Sequence, residues 1–174
     1  MSEESTLPIV YLAIGSNVEP EKNLQEAVDA LKERCNVLAI SSVYQSTPYG
    51  FKDQADFLDI CVKVSTPLLV AAFKLSTIDK IERQQGRDRS NQLTKDGPLP
   101  LDIDILLWSD EIFHYGSKPW RVPHPSIVKY SSVAIPLAEI APDMVHPEEG
   151  VTLQEIAERF KDHTDTRKID LKIE

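Results

Sequence analysis

The sequence predicts an α+β fold: a βαββαβ sandwich, an antiparallel sheet with helices packed on one face, and a C-terminal extension. Two observations carry that expectation. Four runs rich in β-branched and aromatic residues alternate with two stretches whose apolar residues recur at helical spacing. Their order forms two βαβ-like halves, and two such halves sharing one sheet give a ferredoxin-like arrangement.

Each element has a local cause. Ile9 to Ser16 opens with Ile9, Val10, Tyr11 and Leu12 and is broken by Gly15-Ser16-Asn17, the pattern of a strand. After Pro20, the residues Leu24, Ala27, Val28 and Leu31 form one apolar stripe of a helix. Val37 to Tyr44 reads as a second strand, stopped by the turn-rich Ser46-Thr47-Pro48-Tyr49-Gly50. Phe57 to Val64 is a third. Pro67 suits a helix's first turn, and Leu68, Ala71, Leu75, Ile78 and Ile81 supply the apolar face that follows. Gln84 to Pro100 lacks periodicity and is expected to be a long loop, of a length usually tied to function or disorder. Leu101 to Trp108 is the fourth strand, and Ser109 to Glu149 is irregular with short elements. Thr152-x-x-Glu155 is a capping box opening a last helix with Leu153, Ile156, Ala157 and Phe160 on its core face. The charged final dozen residues are expected to fray.

The bulk composition narrows the function. The 174 residues fit one domain, and 41% hydrophobic with 27% charged residues is ordinary globular usage. Nineteen basic against 28 acidic residues give a net charge of −9, which disfavours nucleic acid as a partner. Cys35 and Cys61 suggest neither a disulfide framework nor a zinc site. The acidic start, Met-Ser-Glu-Glu-Ser, is unlike a signal peptide, and no apolar run reaches the roughly 20 residues of a membrane span. The expectation is a cytoplasmic enzyme or binding protein without a membrane partner.

Three tracts carry chemistry. In Asp102-Ile103-Asp104 the carboxylates share one strand face about 6.6 Å apart, while Leu101, Ile103 and Ile105 face the core. Two such carboxylates repel unless one takes a proton or a cation bridges them, and all-oxygen ligands suit Mg²⁺ carrying a nucleotide's phosphates. Alone, the same pair is at home on a solvated strand face. Glu82 with Arg87-x-Arg89 sits where the second helix enters the long loop, and paired arginines suit triphosphate oxygens, though surface charge paired along a helix is an alternative. Val122-Pro123-His124-Pro125 presents a histidine between two prolines, in either a structural or a catalytic role.

Six tracts occur together in a fixed order. They are Ala13-Ile14-Gly15-Ser16-Asn17, Ser42-x-Tyr44-x-x-x-Pro48-x-Gly50, Glu82 with Arg87-x-Arg89, Gly97-Pro98-x-x-Leu101-Asp102-Ile103-Asp104, Val122-Pro123-His124-Pro125, and Pro136-Leu137-x-Glu139-Ile140-Ala141-Pro142. From about Val10 to about Phe160 the chain resembles the 6-hydroxymethyl-7,8-dihydropterin pyrophosphokinase family. The resemblance implies transfer of a pyrophosphoryl group from ATP to the pterin's hydroxymethyl oxygen, releasing AMP, in folate biosynthesis. It implies Asp102 and Asp104 holding two Mg²⁺ ions, His124 donating to a phosphate oxygen, and Glu82, Arg87 and Arg89 at the nucleotide. Thr47, Pro48 and Tyr49 would form the pterin-side loop, with Phe57 stacking on the ring and Asp59 at its edge.

The chain departs from the family pattern at several of these contacts. Leu99 and Tyr130 stand where arginines are usual, Ser132 replaces an aromatic, Asp59 replaces an asparagine, and the loop before Gly97 has no tryptophan. A lost phosphate-binding arginine slows transfer, and Asp59, which only accepts hydrogen bonds when ionised, favours a donor-rich ligand edge. Arg121 and Lys129 lie near the lost cations in sequence. A divergent relative with a changed acceptor, or an impaired pterin- or nucleotide-binding protein, is the alternative reading.

Overall fold

The computed structural model describes residues 6–88, 90 and 97–174. Its main sheet holds β1 (Ile9–Ser16), β2 (Asn36–Ile40), β3 (Tyr44–Ser46), β4 (Phe57–Ser65), β5 (Asp102–Trp108) and β8 (Thr166–Lys168). The order is β5-β1-β4-β3-β8, with β2 also pairing with β4, and every pairing is antiparallel. A hairpin of β6 (Phe113–Tyr115) and β7 (Trp120–Val122) stands apart from it.

Strand alternation gives the sheet two faces. Val10, Leu12 and Ile14 of β1, Ile60, Val62 and Val64 of β4, and Ile103 and Ile105 of β5 point to one core. There they meet Leu24, Ala27, Val28 and Leu31 of α1 (Pro20–Arg34), together with Phe73, Ile78 and Ile81. These are the expected helices on the expected face. The C-terminal extension covers the opposite face: α5 (Ser131–Ile140) and α6 (Leu153–Glu158) pack Leu137, Ala138, Leu153 and Ile156 against Tyr11, Cys61 and Leu107. A short α4 (Ser126–Lys129) leads into α5. Thr152 and Glu155 make the reciprocal capping bonds that the sequence signature predicts. Among the described residues no helix is long and apolar enough to cross a membrane.

Three expectations are corrected, and the short elements expected between Ser109 and Glu149 are identified. The predicted strand over residues 37–44 is two strands. At Ser41 the backbone N–H still donates to Cys61 O at 2.9 Å, but the Cys61 amide donates to Ser41 Oγ, so the side chain replaces the return bond of the ladder between β2 and β3. The second helix begins at Val70: α2 (Val70–Phe73) runs through a π-helical segment, Lys74–Ile78, into α3 (Asp79–Gln84). The wider turn rotates the buried face, so Phe73, Lys74, Thr77 and Ile78 point inward while Ala71 and Leu75 are exposed. The stretch from Ser109 to Glu149 holds the β6–β7 hairpin, α4 and α5.

The final residues do not fray. β8 pairs Thr166 with Ser46, Ile169 N–H donates to Val43 O at 3.0 Å, and Glu174 N–H reaches Gln25 Oε1 of α1 at 3.2 Å. Ile173 is buried in the first core. Charge dominates the tail's composition, but its alternate apolar residues, Ile169, Leu171 and Ile173, decide its fate. Ile173→Ala is expected to lower unfolding stability by about 2 kcal/mol in urea titration; an unchanged midpoint would return the tail to a loose end.

Candidate active site

The register of the sheet builds the floor of the site. Asp59 of β4, Gly15 of β1 and Asp102 of β5 lie in one row across three strands, and Cys61, Ala13 and Asp104 lie in the row of the same face two residues along. This is the face that α5 covers, and where α5 starts the sheet is left open as a cavity of about 280 Å³. Ala13, Gly15, Asp59, Asp102 and Asp104 line its floor, with Ser132 and Val133 of the first turn of α5 at its rim. A Cβ at Gly15 would come within 2.8 Å of Asp59 Oδ1, so the bare strand position is what lets that carboxylate lie across the floor. The motif glycine therefore has a packing reason.

One flank is cationic. Arg87 Nη1 lies 2.5 Å from Asp102 Oδ1, 2.6 Å from Glu82 Oε2 and 2.9 Å from Leu101 O. Glu82 is buried, and Lys74, inward because of the π-helical segment, lies 3.8 Å from its Oε1 and 2.9 Å from Asp79 Oδ1. Burial works against the Arg87 charge, but Asp102 and Glu82 hold its pKa above the ordinary value. Asp104 is pushed well up from the usual carboxylate range, first by burial and then by Asp102 and Glu82, with Lys74 and Arg87 opposing. Glu82 and Arg87 are not in the cavity lining; they border a second cavity beside it with Leu75 and Asp79. Arg87 is thus held against the Asp102 carboxylate, and reaches the site along its edge.

His124 comes into the lining from the turn after β7. Its backbone N–H donates to Leu106 O at 2.8 Å, anchoring the turn on β5. Its Nδ1 accepts from the Ser126 amide at 3.1 Å, so the neutral ring carries its proton on Nε2. Burial lowers the His124 pKa, Asp102 raises it and Arg121 lowers it, with a net fall.

The other flank is aromatic and hydrogen-bonding. Phe57, Thr47 and Tyr49 line the cavity, with Tyr130 beside them, its ring 4.5 Å from that of Tyr49. Pro48 faces a neighbouring cleft with Tyr49, Gly50 and Lys52. Ser46 Oγ donates to Asp59 Oδ2 at 2.5 Å. Burial raises the Asp59 carboxyl from 3.8 to about 7; the Ser46 bond opposes the rise and Asp102 adds to it. Neither Arg121 nor Lys129 stands in for the lost arginines: Arg121 pairs with Glu148, and Lys129 rests its Nζ over the Tyr130 ring. Arg89 lies outside the described residues.

Two sets of contacts tie the motifs together. Asn17 Nδ2 donates to Gln54 Oε1 at 2.8 Å and Ala55 O at 2.9 Å, while its Oδ1 accepts from Leu99 N at 2.8 Å. That one side chain joins the end of β1 to the loops entering β4 and β5. Glu139 of α5 accepts from the Ser42 amide at 2.8 Å, from Ser42 Oγ at 2.7 Å and from the Tyr44 hydroxyl, joining two motifs far apart in sequence. Asn17, Ser46, Ser126 and Tyr130 were missed as site residues. Asn17 and Ser126 sit inside or beside quoted motifs, which was their available signal. Ser46 becomes visible only through the sheet register, and Tyr130, visible in the sequence as a departure from the family pattern, shows its contact with Tyr49 only in the tertiary fold.

The family model for "7,8-dihydro-6-hydroxymethylpterin-pyrophosphokinase (HPPK)" matches residues 11–142. The chain belongs to the HPPK family. It is 39% identical over 139 residues to the Aquifex aeolicus protein named 2-amino-4-hydroxy-6-hydroxymethyldihydropteridine pyrophosphokinase, covering 79% of this chain and 83% of that protein. The Haemophilus influenzae protein of the same name is 35% identical over 156 residues, covering 88% and 93%. Among solved structures, Plasmodium falciparum HPPK-DHPS with pterin and p-hydroxybenzoate superposes with a TM-score of 0.74 over 98% of this chain at 14% identity. The chain spans 46% of that longer protein, and the likeness speaks for the fold. The HPPK relatives are pyrophosphokinases, and ATP is the family's co-substrate.

Asp59 makes the fold's stability depend on pH. The native state keeps a proton there up to about pH 7, whereas the unfolded chain releases it near 3.8. This contribution is full below about pH 4 and is lost as the pH rises toward about 7. In denaturant titrations, Asp59→Asn is expected to lose less stability than the parent across that interval, whereas parallel pH profiles would show that Asp59 ionises normally in the fold.

Proposed function

We propose that this chain transfers the β,γ-pyrophosphoryl group of ATP to the hydroxymethyl oxygen of 6-hydroxymethyl-7,8-dihydropterin. The observation that carries the proposal is the shared floor: a metal-suited carboxylate pair at one end of the row and a ligand-reading carboxylate at the other, with an unsubstituted strand between them. Neighbouring strands are about 4.8 Å apart, so Asp59 and Asp102, two strands from each other, stand roughly 10 Å apart, and ligands held at each can meet over the strand between them.

The donors present fit Mg²⁺. Asp102 and Asp104 supply hard oxygens, and Asp104, kept from ionising by burial and by Asp102, gains from a cation in place of its proton. Among the described residues no group of three or more His, Cys, Asp and Glu side chains is arranged to hold a metal ion. Two carboxylates are enough for ions that take their remaining ligands from phosphate and water. When bound, Mg²⁺ neutralises the triphosphate and orders it for in-line attack.

The chain's own groups divide the rest. Arg87, buttressed by Glu82, supplies fixed positive charge beside Asp102. His124, with Nδ1 engaged by Ser126, offers Nε2–H to a phosphate oxygen. Phe57, Tyr49 and Tyr130 provide the apolar walls for a planar ring. Asp59 accepts from the pterin's 2-amino and ring N–H donors, an edge that a carboxylate reads with both oxygens. The hydroxyl oxygen then bonds to the β-phosphorus, the bond from that phosphorus to the α,β-bridging oxygen breaks, and AMP leaves with one proton released. Leu99 and Tyr130 leave this transition state with fewer cations than the family pattern supplies.

The purified chain, given ATP, Mg²⁺ and the pterin, is expected to release AMP at a rate that Asp102→Ala lowers at least about a hundredfold. AMP release that survives Asp102→Ala, or does not require the pterin, would refute the proposal. Leu99→Arg is expected to raise kcat; an unchanged or lower kcat would show that the missing cation is not what limits transfer.

A further inference from the structure

We propose that Asp165 is a positioning residue that holds Tyr49 and Tyr130 together as the aromatic wall of the acceptor pocket. The inference rests on the reading of that pocket as the pterin site. Asp165 lies beyond the family match, which ends at residue 142, and is set in place by the tail strand that composition alone would leave loose.

Its contacts converge from both sides of the wall. The Tyr49 hydroxyl donates to Asp165 Oδ2 at 3.2 Å, and Ser131 Oγ, one residue after Tyr130, donates to Oδ1 at 3.1 Å. The Asp165 carbonyl accepts from Thr47 N at 3.0 Å and Thr47 Oγ1 at 3.3 Å. Thr166, paired with Ser46 in the β3–β8 ladder, shares a hydrogen bond with Ser131 Oγ at 2.8 Å. His163 Nδ1 lies 3.7 Å from Oδ1.

The wall needs a holder. Tyr49 is 45% exposed and sits on a loop that passes through a left-handed Gly50, φ 80°. Tyr130 lies on another element, in extended backbone between α4 and α5. At Ser132, on the rim beside them, there is no ring to add to the wall. Ser131 and Ser132 also lie within hydrogen-bonding reach of the Tyr49 side chain, and the two rings touch each other. Among the described residues, only the Asp165 carboxylate bonds both the Tyr49 hydroxyl and the Ser131 hydroxyl that follows Tyr130. That one carboxylate ties both phenol-bearing segments together on the side of the cavity that Gly15 also lines.

The test uses the full chain with Asp165→Ala, Asp165→Asn and Tyr49→Phe. Asp165→Ala is expected to raise the KM for the pterin about tenfold, with kcat and the ATP KM changed less than about twofold, because the loss falls on acceptor binding. Asp165→Asn, which keeps one acceptor oxygen, is expected to recover part of that loss. Tyr49→Phe added to Asp165→Ala is expected to cost less than the two changes summed. An activity-independent readout is tryptic cleavage after Lys52, expected to quicken at least about fivefold in Asp165→Ala as the loop is freed. Unchanged cleavage with an unchanged pterin KM overturns the proposal. A fall in kcat with both KM values steady overturns it too, by making Asp165 a general structural residue. Faster cleavage in a protein whose parent shows no pterin-dependent AMP release upholds the holding role while removing the acceptor reading beneath it.

Discussion

Mutual repulsion among Asp59, Asp102 and Asp104 is the constraint around which the site is arranged. All three stand on one sheet face around Gly15 and Ala13, and at an effective dielectric of about 20 a pair two residues apart on a strand repels by roughly 2 kcal/mol. No fold retains such a cluster without compensation. Here Arg87 is held against Asp102, Lys74 is turned inward near Asp104 by a π-helical segment, and burial first, with the repulsion from Asp102 added to it, keeps protons on Asp59 and Asp104. Cations and hydrogen-bond donors brought by ligands relieve the same repulsion. The ligand-free protein is therefore electrostatically prepared for what it binds.

The second consequence concerns shape. Strands β4, β1 and β5 run past one another with the floor row at the open end of the face, and α5 covers the sheet only up to that row. The cavity exists because the covering helix starts where the carboxylates begin. Glu139 holds α5 to Ser42 and Tyr44, and Asp165 holds its first residue to the tail, so the rim is fixed at both ends. Asn17 does the corresponding work for the loops above β1. Side-chain hydrogen bonds, several of them to backbone groups, thus tie the rim and the loops above β1 to the sheet.

Much of this was legible in the chain. Alternation placed Asp102 and Asp104 on one face and Leu101, Ile103 and Ile105 on the other, because a strand's period is two whatever surrounds it. The stripe of Leu24, Ala27, Val28 and Leu31 gave α1, and the capping box gave α6. What escaped was non-local or depended on a local exception. The π-helical segment moves Leu75 out and Lys74 in, and nothing in a 3.6-residue period announces it. The tail reads as charged because charge dominates its composition, whereas Ile169 and Ile173 are placed by a strand pairing with β3 more than a hundred residues away. Tyr130, read as a lost arginine, gains its place as a wall from a ring on another loop. The departures from the family pattern are thus partly exchanges as well as losses.

The most direct test of the shared floor is a crystal structure with a non-hydrolysable ATP analogue, the pterin and Mn²⁺ in place of Mg²⁺, so that anomalous scattering marks the ions. The account predicts metal signal between the Asp102 and Asp104 carboxylates and the pterin lying over Gly15 with its N–H edge on Asp59. Metal and nucleotide bound elsewhere, with that carboxylate pair bare, would contradict it.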